Sequence, residues 1–240
     1  MKTFFTIKII VLFCSVAMLF SCGANALLNI QNDGSGAFSF STQTSENVAS
    51  IIYAFSGTDA QTDLFDVSAI EESFAQANLT LSALSFPSKA DIALSATSEN
   101  VNKLIPQGEQ PVITNITPSG GNVTIKLNKE TMTSLISAMP EDTALYIDLL
   151  QAPIFTGDTM TPDEYADFIG AVYGSRLAGD ITNSAFTFDI QAPGNISDVR
   201  SEPADIGTYN FSGKKASFSF LLHRFLSTSN EILLYVTWKT

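Results

Sequence analysis

The first patterned stretch of the chain is an uncharged run from Ile9 to Phe20, preceded by Lys2 and Lys8 and followed by small residues. A basic start, an apolar core and a small-residue end are the three parts of an export signal. The core is shorter than the roughly 20 residues that cross a bilayer, so it reads as a cleaved signal and not as a retained span. Past Ala26 the apolar positions fall into alternating segments with a period of two and stripes with a period between three and four. The first kind predicts half-buried strands, the second amphipathic helices.

Leu27–Gln31 and Gly36–Ser41 alternate on either side of Asn32-Asp33-Gly34-Ser35, whose residues tolerate positive φ, which predicts a β-hairpin. Ser45 caps a helix over Glu46–Phe55 with Val48, Ile51, Ile52 and Phe55 on one stripe, and a second helix follows from Asp66. Strands are expected at Leu79–Phe86, Ile92–Thr97, Val112–Thr117 and Asn122–Asn128. Lys129–Met139 reads as a helix after an Asn128 cap, and another runs from Pro140-Glu141-Asp142 through Tyr146–Leu150 to Pro153. Thr161-Pro162-Asp163-Glu164 carries a cap, a first-turn proline and two first-turn acids ahead of Tyr165, Phe168, Ile169 and Val172. Gly170 and Gly174 share a ridge of that helix, an arrangement suited to a close crossing. Strands return at Ala185–Ile190 and Tyr209–Lys214, and Ala216–Leu222 with Ile232–Lys239 reads as a terminal antiparallel pair in which Trp238 is a packing anchor. Helices between strand pairs define one α+β domain, mainly antiparallel sheet with several covering helices. The expected organisation is a signal over 1–21, a short tether over 22–26 and the domain over 27–240.

Cysteine usage sharpens the picture, because only Cys14 and Cys22 are present. The folded part then has no thiol for a disulfide, a metal site or a nucleophile, and must rely on its apolar core. Net charge is −12, and removal of Lys2 and Lys8 with the signal makes it about −14. Nucleic acid is therefore not an expected partner, since polyanions are repelled and no basic cluster offsets this.

Chemistry-bearing residues are sparse. Asp158, Asp163, Glu164 and Asp167, with Asp148 as a possible neighbour, are the one carboxylate group whose convergence would support acid–base work or calcium. Their spacing is not that of an EF-hand loop, and Asp163 and Glu164 already suit the positive end of a helix. His223 is the sole histidine, and no G-x-S-x-G element accompanies any serine. No catalytic residue, metal ligand or cofactor is expected. N-x-S/T sequons at Asn78, Asn115, Asn122, Asn195 and Asn210 read as chance products of a chain rich in Asn, Ser and Thr.

Two processing points compete at the end of the signal. Leu19-Phe20-Ser21-Cys22 has the leucine and the small residue of a lipidation site, with Phe20 departing from the usual small residue; it makes Cys22 the acylated first residue. Ala24-Asn25-Ala26 is an A-x-A site whose use would release a soluble chain beginning at Leu27. The first is favoured.

With the signal and Cys22, the motifs Asn32–Gly36, Asp148–Pro153, Glu164-Tyr165 through Val172-Tyr173-Gly174, Gln191–Gly194 and Val236-Thr237-Trp238 resemble uncharacterised spirochaete lipoproteins. The hairpin and the late Pro-Gly turn are more weakly similar to the β-rich ectodomain of LppM-type lipoproteins. The resemblance implies a domain of the bacterial cell envelope, held at a membrane through acylated Cys22, with a lipid, glycolipid or protein as possible envelope partner. No catalytic residue carries across, and the N-terminal lipid takes the place of the C-terminal hydrophobic anchor of the LppM type. The leading expectation is a non-enzymatic, membrane-anchored lipoprotein with a binding or scaffolding role. An apolar-ligand carrier is the alternative, motivated by the 18 phenylalanines, and a hydrolase built near Asp163 is the third.

Overall fold

The computed structural model describes residues 21–56, 65, 67–76, 79–103, 111–136 and 151–240. The expected helix over Pro140–Leu150 and the end of the one beginning at Lys129 lie outside them. The opening hairpin pairs β1 (Ser21–Ile30) with β2 (Gly36–Thr44) in antiparallel register, ending at Ile30 opposite Gly36. Gly34 takes φ of 84°, and the Ser35 amide and hydroxyl donate to Asp33 Oδ1 at 3.0 and 2.6 Å. Those bonds hold the Asp33 carboxyl below its ordinary pKa, the Ser35 hydroxyl first and its amide second. A turn closed in this way fixes the register, and with it which face of each strand is buried.

Helices α1 (Glu46–Ser56) and α2 (Val67–Gln76) follow, then β3 (Thr80–Ser88), β4 (Asp91–Ser98), β5 (Val112–Thr117) and β6 (Gly120–Leu127). The Val48 amide donates to the Ser45 hydroxyl at 3.2 Å, the expected cap. Asn128 caps α3 (Lys129–Ile136) by accepting from the Thr131 amide at 2.8 Å. After α4 (Pro153–Thr156) come α5 (Pro162–Tyr173) and α6 (Ser175–Asn183). Next stand β7 (Ala185–Gln191), β8 (Asn195–Glu202), β9 (Thr208–Ser212), β10 (Lys215–Leu221), α7 (Leu222–Ser227) and β11 (Ile232–Lys239).

Among the described residues seven strands form one sheet in the order β3-β4-β2-β1-β7-β10-β9, and four form a second, β5-β6-β11-β8. Pairing is antiparallel except between β1 and β7, which run parallel. The α+β class is thus shown. Apolar side chains from both sheets and from α5, α6 and α7 join one continuous core, so the two sheets belong to a single domain.

Three expectations are corrected. Residues 22–26 are not a tether, because β1 begins at Ser21 and Gly23 already pairs with Gln43 on one side and Ala185 on the other. Ala24 and Ala26 are core residues, each 2% exposed, lying opposite Phe186 and Phe188 on β7. A run of small residues reads as a tether in sequence, yet here it is the small half of a large–small layer. Second, β10 and β11 do not pair, because α7 buries Leu222, Phe225 and Leu226 and carries the chain from one sheet to the other. Alternation gives the buried face of a strand but not its neighbour. Third, Gly174 is not on the ridge of α5: with φ of 95° it ends that helix and leads into α6, while a Cβ on Gly170 would meet Ala178 at an ordinary contact distance of 3.5 Å, so neither glycine marks a close crossing.

Candidate functional site

The residue with the clearest chemistry, Cys22, stands in the first turn-free residues of β1, the fourth of the seven strands of its sheet. The strand ends beside it follow from the register. On one side are Thr44 at the end of β2 and then the Ser88–Asp91 connection of β3 to β4; on the other are Ala185 at the start of β7 and Leu221 at the end of β10. Hydrogen bonds tie this end together. The Thr44 amide donates to Asp91 Oδ1 at 2.6 Å and the Ser88 hydroxyl to Asp91 Oδ2 at 2.8 Å. Asp180 Oδ2 accepts from the Ser45 hydroxyl at 2.6 Å and from the Asn47 amide group at 3.0 Å. Two of the carboxylates near the first residues of β1 are therefore engaged within the fold.

The carboxylates singled out from sequence do not converge. Asp158, Asp163, Glu164 and Asp167 are all exposed, and Asp148 lies outside the described residues. Glu164 closes a capping box: its Oε2 accepts from the Thr161 amide at 2.8 Å while its own amide donates to the Thr161 hydroxyl at 3.2 Å. Those bonds to Thr161, the backbone one first, hold the Glu164 carboxyl below its ordinary pKa. Thr161→Ala is expected to cost about 1 kcal/mol, read as a lowered urea midpoint at unchanged slope; an unchanged midpoint would mean that the box contributes nothing. Among the described residues no three His, Cys, Asp or Glu side chains come together as a metal site.

His223 sits in α7 with Nδ1 buried and without a hydrogen-bond partner among the described residues. Burial pushes its pKa below the ordinary value and the Arg224 charge adds to this, with Asp163 opposing. The ring belongs to the short helix that carries the chain from β10 to β11.

One feature escaped the sequence reading. On the face of the large sheet opposite the buried row of β1, a cleft of about 300 Å³ is lined by Asn25, Leu27, Ser39, Ser41, Ser85, Ser95 and Asp189. Lys215 Nζ lies 2.8 Å from Asp189 Oδ2, and the Ser39 and Ser95 hydroxyls are 2.9 Å apart. The alternation Phe186, Phe188 against Thr187, Asp189 was legible as two faces, but the cleft needs five strands side by side. A void beneath the sheet, lined by Leu28, Phe38, Leu79 and Val101, measures about 10 Å³, room for no more than a single water.

The class these observations define is an α+β domain of two sheets joined by a helical layer, with Cys22 the second residue of the central strand of the larger sheet. Comparison with protein-family models, with curated proteins and with solved structures finds no match to the chain.

Proposed function

We propose that this is a non-enzymatic lipoprotein of the bacterial cell envelope, held at a membrane by acyl chains on Cys22, its domain serving a binding or scaffolding role there. The observation that supports this reading is the extent of β1. Processing before Cys22 leaves the strand from Gly23 to Ile30 whole, with Ala24 and Ala26 buried between β2 and β7. Processing after Ala26 would cut the middle strand of the sheet in half. Of the two sites legible in the sequence, the lipidation site spares more of the strand: it removes Ser21 and its pairing with Thr44 but leaves every pair from Gly23 to Ile30.

Acyl burial contributes about 0.8 kcal/mol per CH₂, so two or more chains give effectively permanent attachment. Intact mass spectrometry of protein taken from its native membrane is expected to give a chain beginning at Cys22 with the added mass of acyl groups. Cys22→Ala is expected to move the protein from the membrane fraction and to abolish palmitate labelling. A Cys22→Ala protein that stays membrane-bound and labels equally well would sink the proposal.

A further inference from the structure

We infer that the strand ends running from Ser88–Asp91 through Thr44, Gly23 and Ala185 to Leu221 are the face of the domain that lies against the lipid bilayer, with the Gln31–Ser35 turn as its distal pole. The inference rests on the Cys22 anchor proposed above and adds the orientation that the anchor imposes.

The first support is the lack of slack. Gly23 is paired on both sides, and one residue spans at most about 3.5 Å. A flexible linker of 20 residues would instead let a domain wander by about 25 Å. The lipid attachment point is therefore fixed to within a residue of the sheet, and the domain cannot roll onto its opposite end without breaking β1 pairing. The second support is the length of β1. At about 3.3 Å per residue its ten residues hold the Gln31–Ser35 turn roughly 30 Å from Cys22, well beyond the range of headgroup contact. The third is what the proximal end presents. Leu221 is a large apolar side chain, 42% exposed, at the last position of β10, and Pro87 near the end of β3 and Lys89 on the β3–β4 connection are exposed. Asp91 has both carboxylate oxygens and Asp180 its Oδ2 engaged internally, while Glu46 remains an exposed acid. With a net charge of about −14 once Lys2 and Lys8 have left with the signal, a zwitterionic lipid surface is the occupant that fits.

The test exploits the cysteine count. Once Cys14 has left with the signal and Cys22 is acylated, an introduced cysteine is the one free thiol. Leu221→Cys and Asn32→Cys, both at exposed positions, are labelled with an environment-sensitive fluorophore on the lipidated protein. Each is then reconstituted into phosphatidylcholine vesicles containing a headgroup-nitroxide lipid. The Leu221 label is expected to be quenched several-fold more than the Asn32 label. Lys89→Cys, on the same row, replaces Leu221→Cys if that variant misfolds. Equal or reversed quenching in protein whose mass includes the acyl chains overturns the orientation while leaving the anchor intact. A mass without acyl chains removes the anchor reading, and the orientation with it.

Discussion

A polypeptide beginning at Leu27 is expected to be less stable than one beginning at position 22, with Cys22→Ser to prevent acylation, by on the order of 5 kcal/mol. Residues Gly23–Ala26 pair with β2 on one side and β7 on the other, so their loss removes ladder hydrogen bonds on both flanks. Each contributes about 0.5–1.5 kcal/mol net, and the partner groups left behind are half-covered. Loss of Ala24 and Ala26 also uncovers their cross-strand neighbours Phe40 and Phe186, which are 2% exposed in the whole domain. A typical domain has only about 5–15 kcal/mol in total, so the shortened chain should be largely unfolded or close to it. Thermal or urea denaturation followed by far-ultraviolet circular dichroism measures the difference. Two chains melting within a degree or two of each other would show that the start of β1 is dispensable, and the structural case against processing after Ala26 would be lost.

Trp238→Ala is the second large effect, expected at about 3–5 kcal/mol. The indole is 2% exposed on the last strand, in a row with Ile232, Leu234 and Val236 that are fully buried. Its space is made by two glycines on neighbouring segments. A Cβ on Gly121 would lie 2.6 Å from the ring carbon Cζ2, and one on Gly194 would lie 3.1 Å from Cδ1 as well as against the Lys239 carbonyl. Neither strand can close over the hole that alanine leaves without moving its pairing with β11, so the cavity stays. Gly121→Val should destabilise from the opposite direction, by overpacking the same contact. Phe211→Ala is the control: Phe211 is 46% exposed on the edge strand β9, and its loss should shift the urea midpoint little. If Trp238→Ala shifts the midpoint no more than Phe211→Ala does, the ring is not an anchor.

These expectations draw on very different amounts of sequence information. Thr161-Pro162-Asp163-Glu164 announced its helix because a cap, a proline and an acid at N3 act within one turn, and the capping box is present. The hairpin at Asp33-Gly34-Ser35 was legible for the same reason, since an Asx hydrogen bond and one positive φ are local matters. Trp238 could be assigned to a buried face from alternation alone, but not to its glycine neighbours, which come from 44 and 117 positions earlier in the chain. Cys22 was named from the signal, while the continuity of the strand that follows it was missed. Gly23-Ala24-Asn25-Ala26 has low apolar contrast, so neither period stands out, and the value of two alanines there is set by the phenylalanines on β2 and β7.

By itself, then, the sequence determined the local elements, the buried face of most strands, the absence of cysteine after position 22 and the candidate processing sites, because each is read from single residues or from residues a few positions apart. Only the tertiary structure decided that β1 starts at Ser21 and lies at the middle of the large sheet, that β10 and β11 belong to different sheets, and that serines from three strands share a cleft with Asp189. Those are pairings between distant segments. Strand alternation is nearly the same for every choice of neighbour, and what selects one is the joint fit of large and small side chains across a shared core.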